Sequence, residues 1–594
     1  MRKNWKSIVL CIGVLLPVLS GCVEDTLDVS GDKLNLDVNL GGNELIIPLG
    51  TGKKTLVSSI LEPSDMLAFN GTGDYVIEES GTMASRDFSI QPVNLQLQSV
   101  SITQGINFNN VNVATRYVVN LSSFSGTINQ TAKITASQRV PGALESLYSA
   151  QLDASKKPTI TLHIGFKNVP ANMTSLHFND LKIQVPDFLK WGNDSDISGQ
   201  ILTLNTSFNP HDGYTRTIAI DGFDFSSFNS TIGLATTAIS GTTDRLIAIN
   251  THNTFSVNGE IEGGPLTIDT NTLQDMQMVV TASFNQCTLN EVKAVVHPTI
   301  SPVVTRIPIS LSEDADFLQN AESQLTLTNP QIKLDLSNSS LLPISVVMNI
   351  RGEDKNQHTL TGANIPPIKV TLLPSTQQGT PRLTKIILSA KPVAVEGYAN
   401  VVVPELPELT SQIPYVVMIE AVADVATDTP MQVDSDKDMH MGAAYDVSIP
   451  LAFDTANFSY TEVIDGLMDT LDGIADDVLD PKWTITAQLV NTVPLDMQLI
   501  AEAVDTQGNV IDGLTVTTES DVMAGTLSSP TTSSVTVQVE AEGDQLSKLD
   551  AIKLHLHATS DDLVAGESLN GNQYIQFTQI KVHAAGGVHV DMND

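Results

Sequence analysis

Asp434-Ser435-Asp436-Lys437-Asp438 places the carboxylates of Asp434, Asp436 and Asp438 at alternate positions, the arrangement that opens a calcium-binding loop. Calcium takes roughly six to eight oxygen ligands, and an EF-type loop needs Gly at its sixth position and a bidentate Glu at its twelfth. Met439 and Tyr445 stand there, which excludes the EF-hand and leaves a looser calcium site in a loop between two domains. His555 and His557 alternate with Leu554 and Leu556, so both imidazoles project from one face of a strand, with His583 and His589 as neighbours from the final strands. Zinc requires three or four convergent ligands, and two on a strand read as a polar sheet face. Trp191, in Phe188-Leu189-Lys190-Trp191-Gly192, is the one residue suited to stacking on a sugar ring. Trp483 falls on an apolar position of a repeated strand and reads as core. No nucleophile elbow, paired-histidine helix or phosphate-cradling glycine loop is present. No carboxylate pair stands out as an acid and base across a pocket. The chain therefore reads as non-enzymatic, with no cofactor beyond the calcium candidate.

The start of the chain carries a different signal. Arg2, Lys3 and Lys6 precede an apolar run from Ile8 to Leu19, and Leu19-Ser20-Gly21-Cys22 follows. A basic segment, a short apolar segment and a small-residue box are the layout of a secretory signal peptide. The run is shorter than the roughly 20 residues a membrane-crossing helix needs. At all four positions the box resembles the lipobox of bacterial lipoproteins. That resemblance implies cleavage before Cys22, a diacylglycerol on its sulfur and acylation of the new amine. Stable anchoring takes two lipid signals, and a triacylated cysteine exceeds that. Val23-Glu24-Asp25 resembles the export signal of Bacteroidota surface lipoproteins, which implies a lipid anchor in the outer membrane and display at the cell surface rather than the periplasmic face. Three short matches, beginning at Asp25, Asp454 and Asp469, resemble the O-glycosylation site of exported proteins of that group.

Composition narrows the function further. A formal net charge of −36 repels nucleic acid and anionic lipid, and 31 Lys and Arg among 594 residues leave few cations for counterion release. Nucleic-acid binding is excluded. Of three cysteines, Cys11 leaves with the leader and Cys22 is the lipidation site, so Cys287 has no partner for an intramolecular disulfide. Stability must come from ordinary apolar cores.

These elements sit on strands. Short runs alternate apolar and polar residues between turn residues, the period of two that defines an all-β chain. Ile46-Ile47-Pro48-Leu49, Arg306-Ile307-Pro308-Ile309 and Ser448-Ile449-Pro450-Leu451 open three segments alike, and proline suits an edge strand. Two of these continue in parallel: Gln331 to Asn338 then Pro343-Ile344, and Lys482 to Asn491 then Pro494-Leu495, each a strand, an Asn-containing turn and a second strand. A pattern apolar-x-x-apolar-Lys-apolar recurs at Phe178, Leu289 and Leu549, with Ile387 in place of Lys in the copy at Leu383. Each copy follows an alternating strand, which predicts a hairpin in each of four units with the lysines on the solvent face.

The fold class is all-β, with tandem immunoglobulin-like β-sandwich domains and one short helix in the C-terminal domain. That helix is read from Val463, Ile464, Leu467, Met468, Leu471, Ile474, Ala475 and Val478 at helical spacing. The predicted division is a signal peptide at 1–21, an acylated tether at 22–44, and sandwiches at 45–155, 156–305, 306–439 and 440–594. Residues 45–305 are alternatively one double module, and Pro404 to Leu409 is a connector. The whole resembles the multidomain lipoproteins of Bacteroidota envelopes, which implies a binding or scaffold module attached to an outer-membrane barrel or another envelope protein. Two other readings stand beside it: a surface glycan-binding protein of a polysaccharide-utilisation system, and a structural or adhesive surface protein.

Overall fold

The computed structural model describes residues 37–40, 45–109, 118–152, 157–249, 254–311, 313–319, 323–360, 365–435, 437–464, 482–542, 545–585 and 588–591. The described residues are mostly strand, as the alternation predicts. In Gln331–Asn338 the residues Ile332, Leu334, Leu336 and Asn338 are buried while those between them are half-exposed. In Ile344–Glu353 the pattern repeats with Ile344, Val346, Met348 and Ile350. One face of each strand packs and the other meets water, which is what a sandwich requires.

Among the described residues the large sheets group into three sandwich units. The first pairs a nine-stranded sheet, containing Leu144–Gln151, Thr159–Lys167, Tyr214–Asp224, Gln277–Phe284 and Glu291–Val296, with a seven-stranded one containing Phe124–Lys133, Leu176–Gln184 and Thr254–Gly263. Aromatic rings bridge the two sheets: Phe166 and Phe208 stack at 5.5 Å, and Phe178 meets Tyr214 edge-on at 5.6 Å. The middle unit packs the four-stranded sheet of Val303–Pro308, Val416–Val425, Ile344–Glu353 and Ile368–Leu372 on a seven-stranded sheet centred on Gln331–Asn338. The last packs a six-stranded sheet centred on Lys482–Asn491 on a five-stranded sheet containing Asp496–Val504 and Ala551–Thr559. One apolar cluster runs through the first two units and into the near end of the last, where it takes in Phe453, Phe458, Leu495 and Ala558; the rest of the last sandwich has its own, from Ile485, Ala487 and Leu489 to Val535, Val537, Val539 and Ile580.

The N-terminal segment is shared among all three. Asp37–Leu40 pairs antiparallel with Val588–Asp591, and Leu45–Gly50 with Tyr574–Ala585, so the chain's first described strands belong to the last sandwich. Tyr75–Thr82 then joins Met439–Pro450 in the middle sandwich, and Val100–Gly105 joins Gln277–Phe284 in the first. The predicted borders are therefore crossed by ladders. Leu144–Gln151 pairs with Glu291–Val296 across 155/156, Glu291–Val296 with Met431–Asp434 across 305/306, and Gln324–Leu327 with Phe453–Ile464 across 439/440. The single nine-stranded sheet draws strands from both halves of 45–305. Periodicity reports which face of a strand is buried and carries no information on which strand lies beside it, so these borders were not readable from alternation.

The hairpins are corrected for the same reason. Thr159–Lys167 and Leu176–Gln184 lie in opposite sheets, as do Ile368–Leu372 and Arg382–Ser389, and Thr531–Ala541 and Ala551–Thr559. Gln277–Phe284 and Glu291–Val296 share a sheet without being neighbours. In three of the four copies the two strands thus lie across the sandwich from each other rather than side by side. Lys182 and Lys293 point to solvent between buried neighbours as predicted, and Lys553 is half-exposed; Ile387 is fully buried. Of the three Ile-Pro strands, Leu45–Gly50 and Val303–Pro308 are edges, but Met439–Pro450 is internal; Pro450 is tolerated as its last residue, opposite Val76. Leu406–Thr410 is a 3-10 turn with Leu406 and Leu409 buried in the middle unit, so the predicted connector is part of that core. Val463 and Ile464 end the strand Phe453–Ile464, and the rest of the predicted helix lies outside the described residues.

The strand–Asn–strand repeat is the clearest local feature of the fold. Asn338 and Asn491 are fully buried where the chain leaves one sheet for the other. Asn338 donates from Nδ2 to the carbonyls of Leu342 (2.8 Å) and Leu373 (3.2 Å), and its Oδ1 accepts the Ser340 N–H at 2.9 Å. Asn491 donates to Leu495 (3.2 Å) and Met523 (2.9 Å), and accepts the Val493 N–H at 2.8 Å. A corner between packed sheets has carbonyls with no strand partner, and an amide is the side chain that can both donate and accept there. Each second strand then ends in an aspartate turn. Asp354 Oδ1 accepts the N–H groups of Asn356 and His358, both at 2.8 Å, and Asp505 Oδ1 those of Gln507 (2.8 Å) and Asn509 (2.9 Å).

Candidate functional site

Cys22, the residue with the most specific chemical signature, lies outside the described residues. The structure shows the first described strand after it, Asp37–Leu40, hydrogen-bonded to Val588–Asp591 beside the last sandwich.

The aspartate loop connects Met431–Asp434, on the edge of the nine-stranded sheet, to Met439–Pro450 in the middle sandwich. Asp434 Oδ2 sits 3.0 Å from Lys437 Nζ, and this hydrogen bond and charge raise the lysine's pKa. Gln378 braces the loop, accepting the Asp434 N–H at 3.0 Å and donating to the carbonyls of Asp434 and Lys437. Asp438 is exposed, and Asp436 lies outside the described residues. An ammonium thus occupies the side of Asp434 that a cation would approach.

His555 and His557 do share one face of Ala551–Thr559. His555 lies 3.0 Å from Thr461 Oγ1 and 3.4 Å from Glu502, and His557 lies 3.2 Å from Ser459. His583 is in the opposite sheet, and the backbone of His589 is in the short ladder with Asp37–Leu40. Among the described residues no group of three or more His, Cys, Asp and Glu is placed to hold a metal ion.

Trp191 ends Leu189–Trp191, beside Tyr214–Asp224. Its ring is half-buried against the apolar cluster and its indole nitrogen is buried without a hydrogen-bond partner. An open sugar platform presents a ring face to water, and this ring turns its polar edge inward. Trp483 lies in register with Val539 and Ala584, and matching Asn338 to Asn491 sets Ile332 beside Ile485 rather than beside Trp483. Cys287 is in a short strand, Cys287–Leu289, paired with Val93–Leu95. Burial pushes its thiol up to about 12, which keeps it protonated and unreactive. Thr455, in the Asp454 match to the glycosylation pattern, is exposed.

Two charged clusters carry no local sequence signature, because their members are far apart in the chain. Glu353 is buried between Arg306, which it pairs with directly, and Arg351 at 3.6 Å. Its charge is compensated, the arrangement expected of a structural ion pair. His297 sits where the first and middle units meet, with Asp424 3.4 Å from Nδ1, and Asp428 (3.3 Å) and Glu145 (4.0 Å) near Nε2. The carboxylates approach different sides of the ring and do not share a central point.

These features define an all-β protein of packed sandwiches. No family model matches the chain, and neither does any curated protein. Among solved structures it is similar to a "putative secreted protein" from Parabacteroides distasonis, with 18% identity over 50% of this chain and 83% of that one, and a TM-score of 0.33. It is also similar to infectious bursal disease virus Gt strain, with 8% identity over 88% and 85% of the two chains and a TM-score of 0.14. Likeness at these TM-scores carries no functional argument.

Proposed function

We propose that this chain is a non-catalytic, lipid-anchored protein of the outer membrane, displayed at the cell surface as a binding or scaffold module and serving as an accessory subunit of an envelope complex. The observation that carries the reading is Leu19-Ser20-Gly21-Cys22 behind a basic and apolar leader, a signal for acylation followed by a tether. The fold supports it in that strands from the tether side stitch all three sandwiches together, which suits a load-bearing projection better than a set of loosely linked domains. The partner is a protein of the same envelope, an outer-membrane barrel being the expected class. Affinity isolation of the full-length protein from detergent-solubilised envelope tests this. A barrel recovered in fixed ratio is the expected result. Recovery of the lipidated protein with no envelope partner overturns the scaffold role.

A further inference from the structure

The strand pairing also orders the units along the molecule. The last sandwich touches the middle one at one end. There Tyr75 N–H donates to the Leu569 carbonyl, Leu569 N–H to the Leu451 carbonyl, and Gln324–Leu327 pairs with the first residues of Phe453–Ile464. The middle unit meets the first through Met431–Asp434 and the His297 cluster. Among the described residues no ladder joins the first unit to the last.

The tether enters at the opposite end of the last sandwich. Leu45 pairs with Ala584, Lys482 with Ala585, and Leu514 with Ala541, so these residues share one rim. The other end of the same strands carries Thr55 opposite Ile575, and Asn491 opposite both Ile575 and Thr531. That is the end facing the middle unit. Entry and docking are at opposite ends of one sandwich.

We infer that the rim of the last sandwich formed around Lys482, Leu514, Ala541 and Ala585 faces the bilayer, and that the unit built from residues 93–296 is the membrane-distal tip of the molecule. The inference rests on the reading of Cys22 as the lipid anchor. From Cys22 to Asp37 the chain spans at most about 50 Å when fully extended. Tyr574–Ala585, with 12 residues, is itself about 40 Å long. The tether is thus long enough to clear roughly one sandwich and too short to bring the first unit to the headgroups while the molecule stands. A net charge of −36 opposes lying flat on an anionic surface.

The test uses the full-length acylated protein in phosphatidylethanolamine–phosphatidylglycerol vesicles carrying a headgroup acceptor dye. A donor is attached at Thr515→Cys, on the tether-side rim, or at Ser230→Cys, in the first unit; both positions are exposed. Cys287 is buried and leaves the background unlabelled. The expected result is several-fold stronger transfer from position 515 than from 230, persisting at low and moderate salt. Equal or reversed transfer on vesicle-bound protein overturns the orientation and leaves the anchor intact. Acylation-competent protein that stays off the vesicles overturns both readings.

Discussion

Replacing Asn491 by alanine removes two donated and one accepted hydrogen bond at a position with no solvent access. The carbonyl of Leu495 and the N–H of Val493 lose their partner, while the Met523 carbonyl keeps the Thr531 hydroxyl at 2.7 Å. Each orphaned buried group costs roughly 1–3 kcal/mol, with carbonyls toward the lower end because a second lone pair finds weak compensation. Two such groups give a loss of about 3 kcal/mol for the last sandwich. For a unit of this size that corresponds to a fall in Tm of about 10 °C. Because the cluster from Ile485 to Ile580 is separate from the one that fills the first two units and the near end of the last, calorimetry should resolve the transition of the last sandwich from that of the other two. Asn491→Ala should move the first transition and spare the second; Asn338→Ala should do the reverse. Asn349→Ala, at an exposed position of the middle unit, should change stability by no more than about 0.5 kcal/mol. A shift below about 1 kcal/mol for either buried asparagine would refute the corner argument. Equal movement of both transitions would refute the separation of cores.

Cys22→Ala should leave the protein out of the outer-membrane fraction, read by fractionation and immunoblot; normal recovery there would show that another segment anchors it. Backbone N–H donors, Asn509 foremost, hold the Asp505 carboxyl below its ordinary value of 3.8, as His358 and Asn356 do for Asp354. A depressed pKa contributes stability above the unfolded value that is lost as pH falls through the folded one. Asp505→Asn should therefore be less stable than the parent at neutral pH and converge with it below pH 3.8, and a constant difference across that range would contradict this. Calcium, chelator and a panel of soluble glycans should each leave the melting profile unchanged. An obligatory site would add about 2.7 kcal/mol at a hundred times its dissociation constant. Saturable glycan binding abolished in Trp191→Ala would replace the scaffold reading with glycan capture.

What the sequence by itself determined was local. Alternation of Ile332, Leu334 and Leu336 was enough to assign a half-buried strand, and the parallel between the segments ending at Asn338 and Asn491 marked a true repeat. The basic and apolar segment and the box ending at Cys22, which carry the proposed anchor, are likewise local features of the linear chain. The tertiary structure alone decided the neighbours. That Leu45–Gly50 completes a sheet ending at Ala585, and Tyr75–Thr82 one formed near residue 440, follows from geometry over hundreds of residues, to which a period of two is blind. The same holds for His297, whose partners come from two units, and for Trp191, whose spacing could not show that its nitrogen faces inward. Backbone hydrogen bonding is satisfied equally well by any strand of matching pattern, so only the packing of whole sheets selects among them.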